Sequence, residues 1–77
     1  MIKFAVHHVF DCLDYNEHHY FQTRAFAEAK FKQLVDKIRN SGQVFDVFTD
    51  TEDEYYVQLN DGLEKVYIEH IKQSWKN

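Results

Sequence analysis

The chain of 77 residues predicts an α+β domain: a small, mainly antiparallel sheet packed against one long helix. Three observations predict it. Residues 23 to 40 carry a single apolar stripe at helical spacing. The segments on both sides are short, β-branched and aromatic, and bounded by turn formers. Glycine occurs only at Gly42 and Gly62 and proline not at all, so no linker divides the chain and a single domain is expected over 1–77. The predicted order is β-β-α-β-β, then a C-terminal element that is a helix or a fifth strand.

In IKFAVHHVF, residues 2 to 10, a strand puts Ile2, Phe4, Val6, His8 and Phe10 on one face. DCLDYNE follows as a loop, with Asp14 and Asn16 as turn formers. His18 to Phe21 reads as a short returning strand, and Thr23 as a helix N-cap. Within the helix, Ala27, Phe31, Leu34, Val35 and Ile38 form the buried stripe. Glu28 and Lys32 are an i,i+4 pair in the favourable order. Lys37 and Arg39 sit in the last turn, where cations suit the dipole, and Gly42 supplies a left-handed stop.

VFDVFTD (44 to 50) and EYYVQL (54 to 59) read as a hairpin joined by the polar link TDTEDE. The end of the chain admits two readings. As a helix, Asp61 caps it with Glu64 three residues on, and Leu63, Val66, Tyr67, His70, Ile71 and Trp75 share a face. As a strand, Val66, Tyr67 and Ile68 have high β-propensity, and Asp61-Gly62 is a hairpin turn. The helix is preferred, because its apolar arc runs over more residues.

A chain this short buries only about 60% of its unfolded surface. Cys12 is the only cysteine, so no disulfide within the chain assists. Seven Phe, five Tyr and one Trp supply the buried area instead. No apolar run approaches the roughly 20 residues of a membrane span, and MIKFAVHHVF lacks a secretory cleavage pattern. A cytoplasmic protein is expected. The formal charge of −4 argues against nonspecific nucleic-acid binding.

Four of the five histidines, with Cys12, fall in HHVFDCLDYNEHHY, residues 7 to 20. Tetrahedral zinc needs three or four converging ligands. Neighbours in a strand point to opposite faces. If the two strands pair, each face receives one histidine of the pair His7 and His8 and one of His18 and His19. Two ligands per face are too few, and although the loop could add Asp11, Cys12, Asp14 or Glu17, nothing in their spacing enforces convergence. No metal or other cofactor is expected. Protonating the five histidines adds five charges to −4 and gives +1, so binding or stability should change between pH 7.5 and 5.5.

Other chemistry is sparse. Two glycines twenty residues apart cannot cradle phosphate. Ser41 and Ser74 are the only serines, and neither sits in a nucleophile elbow. Cys12 reads as a small packed hydrophobe before it reads as a nucleophile. The carboxylates of Asp50, Glu52, Asp53 and Glu54 lack the glycine and glutamate register of an EF-hand loop.

The charge map is the most informative feature. From Asn40 to Glu64 there is no Lys or Arg, against Asp46, Asp50, Glu52, Asp53, Glu54, Asp61 and Glu64. The helix carries Arg24, Lys30, Lys32, Lys37 and Arg39 against Glu28 and Asp36. Either the two elements offset one another, or the hairpin docks on a basic surface drawn by electrostatic steering. The docking reading takes Asp46, Asp50, Glu52, Asp53, Glu54, Tyr55 and Tyr56 as the partner-binding residues. One of the two tyrosines must face away from the core. A second surface is Phe26, Lys30, Gln33 and Lys37, where an aromatic among lysines could stack on a nucleic-acid base, unless Phe26 folds over the sheet edge. A strand at the C-terminus would leave aromatics on an uncovered sheet face, which makes a homodimer plausible.

The segment YFQTRAFAEAKFKQLV, beside acidic, aromatic-rich hairpins, resembles the make-up of small phage-encoded accessory proteins over residues 18 to 60. Some of those bind and inhibit host nucleases or anti-phage complexes. The resemblance implies a non-enzymatic inhibitor or adaptor and assigns no residue a role. The expectation is therefore a non-catalytic protein that engages a basic protein surface through the acidic hairpin. The alternatives are nucleic-acid binding on the helix, then histidine-based metal binding.

Overall fold

The computed structural model describes residues 3–10, 15–60 and 62–71. Five strands and one helix follow in the order β1 (Phe4–Phe10), β2 (Tyr15–Phe21), α1 (Arg24–Arg39), β3 (Val44–Asp50), β4 (Glu54–Leu59) and β5 (Gly62–His70). They form one antiparallel sheet ordered β2-β1-β5-β4-β3, with α1 across one face. This is the predicted α+β fold, with the fifth strand at the end of the chain.

The preferred C-terminal helix is therefore corrected. β5 lies in the middle of the sheet and pairs along its length with β1 on one side and β4 on the other. A helix here would leave the facing edges of both neighbours without partners, a cost that local propensity cannot offset. The side chains of β5 alternate: Glu64, Val66 and Ile68 lie beneath α1, while Leu63, Lys65, Tyr67 and Glu69 line the open face. The arc expected on one helical face is thus split between two sheet faces. Asp61 and Trp75, which belong to that reading, lie outside the described residues, as do Ile2, Asp11, Cys12 and Asp14.

The returning strand is longer than expected. It begins at Tyr15, because β1 stays paired as far as Phe10 opposite Tyr15. Asn16 and Glu17, expected in the loop, are therefore strand residues.

Thr23 caps α1, its Oγ1 accepting from the Phe26 N–H at 3.3 Å. The whole predicted stripe, Ala27, Phe31, Leu34, Val35 and Ile38, is buried. It packs on Val6, Tyr55, Val57, Leu59 and Val66, with Phe4, Phe10, Phe21, Val44 and Ile68 at the margins. The expected Glu28–Lys32 pair is not formed. Glu28 accepts from Arg24 Nε at 2.7 Å, and Lys32 reaches Asp36 at 3.6 Å. The guanidinium is the stronger competitor, because its fork serves Glu28 and Asp53 together. The helix ends at Asn40, and the left-handed residue follows at Gly42, with φ 76°. Among the described residues no helix is long and apolar enough to cross a membrane.

Candidate interaction site

β3 and β4 pair as an antiparallel ribbon, and its geometry divides the residues singled out there into three groups. At the tip, Thr51 Oγ1 accepts from the N–H groups of Asp53 and Glu54 at 3.3 and 3.1 Å. The Ile68 N–H donates to the Asp53 carbonyl at 2.8 Å, which holds the tip against β5.

The first group is neutralised. Arg39 Nη2 donates to both carboxylate oxygens of Asp50, at 2.8 and 2.9 Å. Arg24 Nη2 donates to Asp53 Oδ1 at 2.8 Å. Lys65 Nζ lies 3.6 Å from Glu54. The offset between basic helix and acidic hairpin is thus realised at two carboxylates, Asp50 and Asp53, while Glu54 is met by Lys65 of β5. The hydrogen bonds that Arg24 donates to Glu28 and then to Asp53 hold its pKa above the ordinary arginine value. For Arg39, burial opposes the charge, and the contacts with Asp50 and then Tyr55 together outweigh it, so its pKa is raised. All these groups are largely exposed, so each pair adds little to stability.

The second group, Asp46 and Glu52, keeps its charge toward solvent. Asp46 Oδ1 accepts from the Val47 N–H at 2.9 Å. Among the described residues the ion pairs of the ribbon involve Asp50, Asp53 and Glu54, and neither of these two.

The third group is aromatic. Tyr55, counted among the partner-binding residues, is 2% exposed and lies under α1 with Arg39 stacked 4.9 Å from its ring. It belongs to the core. Tyr56 faces the open side, where Phe48 packs 5.1 Å from it and Lys65 lies 5.5 Å above it. The sequence reading missed the neighbours of Tyr56. Register shifts between Val44 and Asp46 and between Val47 and Thr49 break the β3–β4 pairing. Phe45 (73% exposed) and Phe48 (49% exposed) fall at these shifts, and together with Val47, which pairs opposite Val57, they are exposed to solvent on an edge strand. The signal is the two apolar pairs Val44-Phe45 and Val47-Phe48 on either side of Asp46, which do not alternate and so cannot all face the core of a regular strand. The bulges also blunt the edge against strand addition, which leaves side chains as its means of contact.

On the helix, Phe26 is 65% exposed and does not fold over the sheet edge. Lys30 Nζ lies 3.4 Å from Gln33 Oε1, and Lys37 is exposed on the same side of α1.

The histidines distribute as the face argument requires. His7 opposes His18 on the open face, whereas His8 lies beneath α1 with Glu17 and His19. His8 Nε2 donates to Glu64, whose carboxylate is mostly buried. This pair lines a cleft of about 250 Å³ with Phe10, Leu34, Lys37 and Leu59. Glu64, read from sequence as a possible capping acid, is instead a core-facing polar residue. Among the described residues no group of three or more His, Cys, Asp or Glu is placed to hold a metal ion.

No family model matches the chain, and neither a curated protein nor a solved structure matches it.

Proposed function

We propose that the chain is a non-catalytic binding protein, an inhibitor or adaptor, that engages a protein partner through the β3 side of the ribbon. The observation that carries this is the exposure of Phe45, Val47 and Phe48 on the edge strand β3, with the unneutralised carboxylates of Asp46 on the same strand and Glu52 in the turn that follows it. Aromatic anchors bordered by charge are the composition of interaction hot spots. The partner surface that fits is apolar at its centre and basic at its rim, as on a nucleic-acid-processing complex. Asp50 and Asp53 are neutralised by the arginines, so the binding charge rests on Asp46 and Glu52. A cytoplasmic setting suits such a partner, and self-association through the same edge is the simplest competing occupant.

The test separates charge from packing. Phe48→Ser and the double variant Asp46→Lys/Glu52→Lys are compared with wild type in affinity capture from the native host at low and high salt. Both should lose the partner, and the wild-type complex should weaken with salt. Capture by both variants at wild-type levels removes the proposal.

The exposure of Phe26 beside Lys30, Gln33 and Lys37 favours a second reading, nucleic-acid binding on α1. There, Lys30→Glu/Lys37→Glu should abolish retention of single-stranded DNA or RNA on a gel, and the ribbon variants should bind as well or better.

A further inference from the structure

On the open face, away from the ribbon, two imidazoles are arranged as a pair. His7 and His18 are direct cross-strand partners in β1 and β2. Their Nδ1 atoms face one another at 2.6 Å. Behind them, His7 Nε2 lies 2.8 Å from Glu69 Oε1, and the Tyr67 ring stacks on His7 at 4.7 Å. His7 is mostly covered, whereas His18 is exposed.

The proton positions follow from donor counting. A carboxylate only accepts, so His7 donates from Nε2 to Glu69. A neutral His7 then keeps a lone pair on Nδ1, and His18 donates its Nδ1 proton to it. A carboxylate behind one imidazole nitrogen, with the other nitrogen presented as a lone pair, is the outer arrangement that orients histidine ligands on metals. The histidine fixed by Glu69 and Tyr67 is the covered one, and the exposed His18 ring is free to adjust. Two nitrogens bound at about 2.0–2.1 Å to one tetrahedral ion stand roughly 3.3 Å apart. A ring rotation of His18 that opens the pair by roughly 0.7 Å, given those bond lengths, meets that requirement.

We propose that His7 and His18 form a two-imidazole chelate for a divalent transition metal of the copper and zinc class. The ion takes the place of the shared proton, which passes to His18 Nε2 by exchange with water, Glu69 positions His7, and water fills the remaining coordination positions. Imidazole nitrogen selects such ions over magnesium and calcium. With two protein ligands the metal exchanges freely, which separates this site from a structural zinc.

The experiment titrates untagged, full-length protein with Cu(II), Zn(II) and Mg(II), read by calorimetry and by the ring nitrogen resonances of the histidines. Copper and zinc should bind with one equivalent, moving the His7 and His18 ring signals first, and magnesium should not bind. His18→Ala, at an exposed position, should lower the affinity at least tenfold while the circular dichroism spectrum stays unchanged. Glu69→Gln should lower it by about 10–100-fold and alter the His7 tautomer in metal-free protein. Cys12→Ser should leave it unchanged. The proposal is overturned if His18→Ala binds metal as wild type does, or if Cys12→Ser abolishes binding.

Discussion

Glu64 offers the sharpest test of how the chain is folded around its candidate surfaces. In β5 its carboxylate faces α1 and accepts from His8, with the two side chains only 11% and 15% exposed. His8→Ala removes the donor and leaves a mostly buried carboxylate short of a partner, at a cost of about 2–4 kcal/mol. A domain of this size is expected to have about 4–12 kcal/mol in total, so the loss is a large fraction. Each kcal/mol moves the midpoint of a domain of about 60–100 residues by about 4–8 °C, which places the His8→Ala midpoint about 8–30 °C lower. Replacing both residues by leucine removes donor and acceptor together and should leave stability within about 1 kcal/mol of wild type, or raise it. His8 also approaches Glu17 at 3.8 Å. A double-mutant cycle subtracts that contact and should return a His8–Glu64 coupling of about 1–3 kcal/mol in urea and thermal unfolding. If Glu64 instead occupied the first turn of a C-terminal helix, its loss would cost about 0.5–2 kcal/mol whatever stood at residue 8. Additive single variants with no coupling would refute the strand.

Three further outcomes follow from the same geometry. Thr23→Ala should destabilise by about 1 kcal/mol in urea unfolding, because it frees the Phe26 N–H at the start of α1. Arg39→Met should cost under about 1 kcal/mol and less at high salt. Since Arg39 is held above its ordinary value, its contribution is complete below the arginine range and falls only as pH rises through the raised value. The gap between wild-type and Arg39→Met midpoints should therefore be the same at pH 7 and pH 10. Phe45→Ser with Phe48→Ser should change stability by no more than about 1 kcal/mol, because Phe45 is largely exposed and Phe48 half-exposed, and should weaken partner capture tenfold or more.

The parts of the fold that sequence reveals are those where one local pattern points one way. The stripe from Ala27 to Ile38 is such a case, as are the Thr23 cap and the assignment of one histidine per strand to each face. The C-terminal element was ambiguous because Val66 and Tyr67 satisfy both periods. What decides it is non-local: two strands, β1 and β4, need a partner between them, and only 62–70 can supply it. The pairing of Asp50 and Asp53 with arginines was equally out of reach. Net charge along the chain says nothing about which side chains cross from helix to ribbon. The exposure of Phe45 and Phe48 depends on two bulges, and a bulge is a property of the pairing register, which a strand's own sequence does not specify. The facing of His7 and His18 is the intermediate case: parity places them on one face, and register alone brings them into contact.

The central claim is that the β3 side of the ribbon is the working surface of this chain. Photo-crosslinking from a benzoylphenylalanine placed at position 48, and separately at position 26, measures it in the native host. The account predicts one heavier adduct from position 48, lost when Asp46→Lys/Glu52→Lys is introduced, and no adduct from position 26. An adduct from position 26 alone, or one from position 48 that survives the charge reversal, would contradict it.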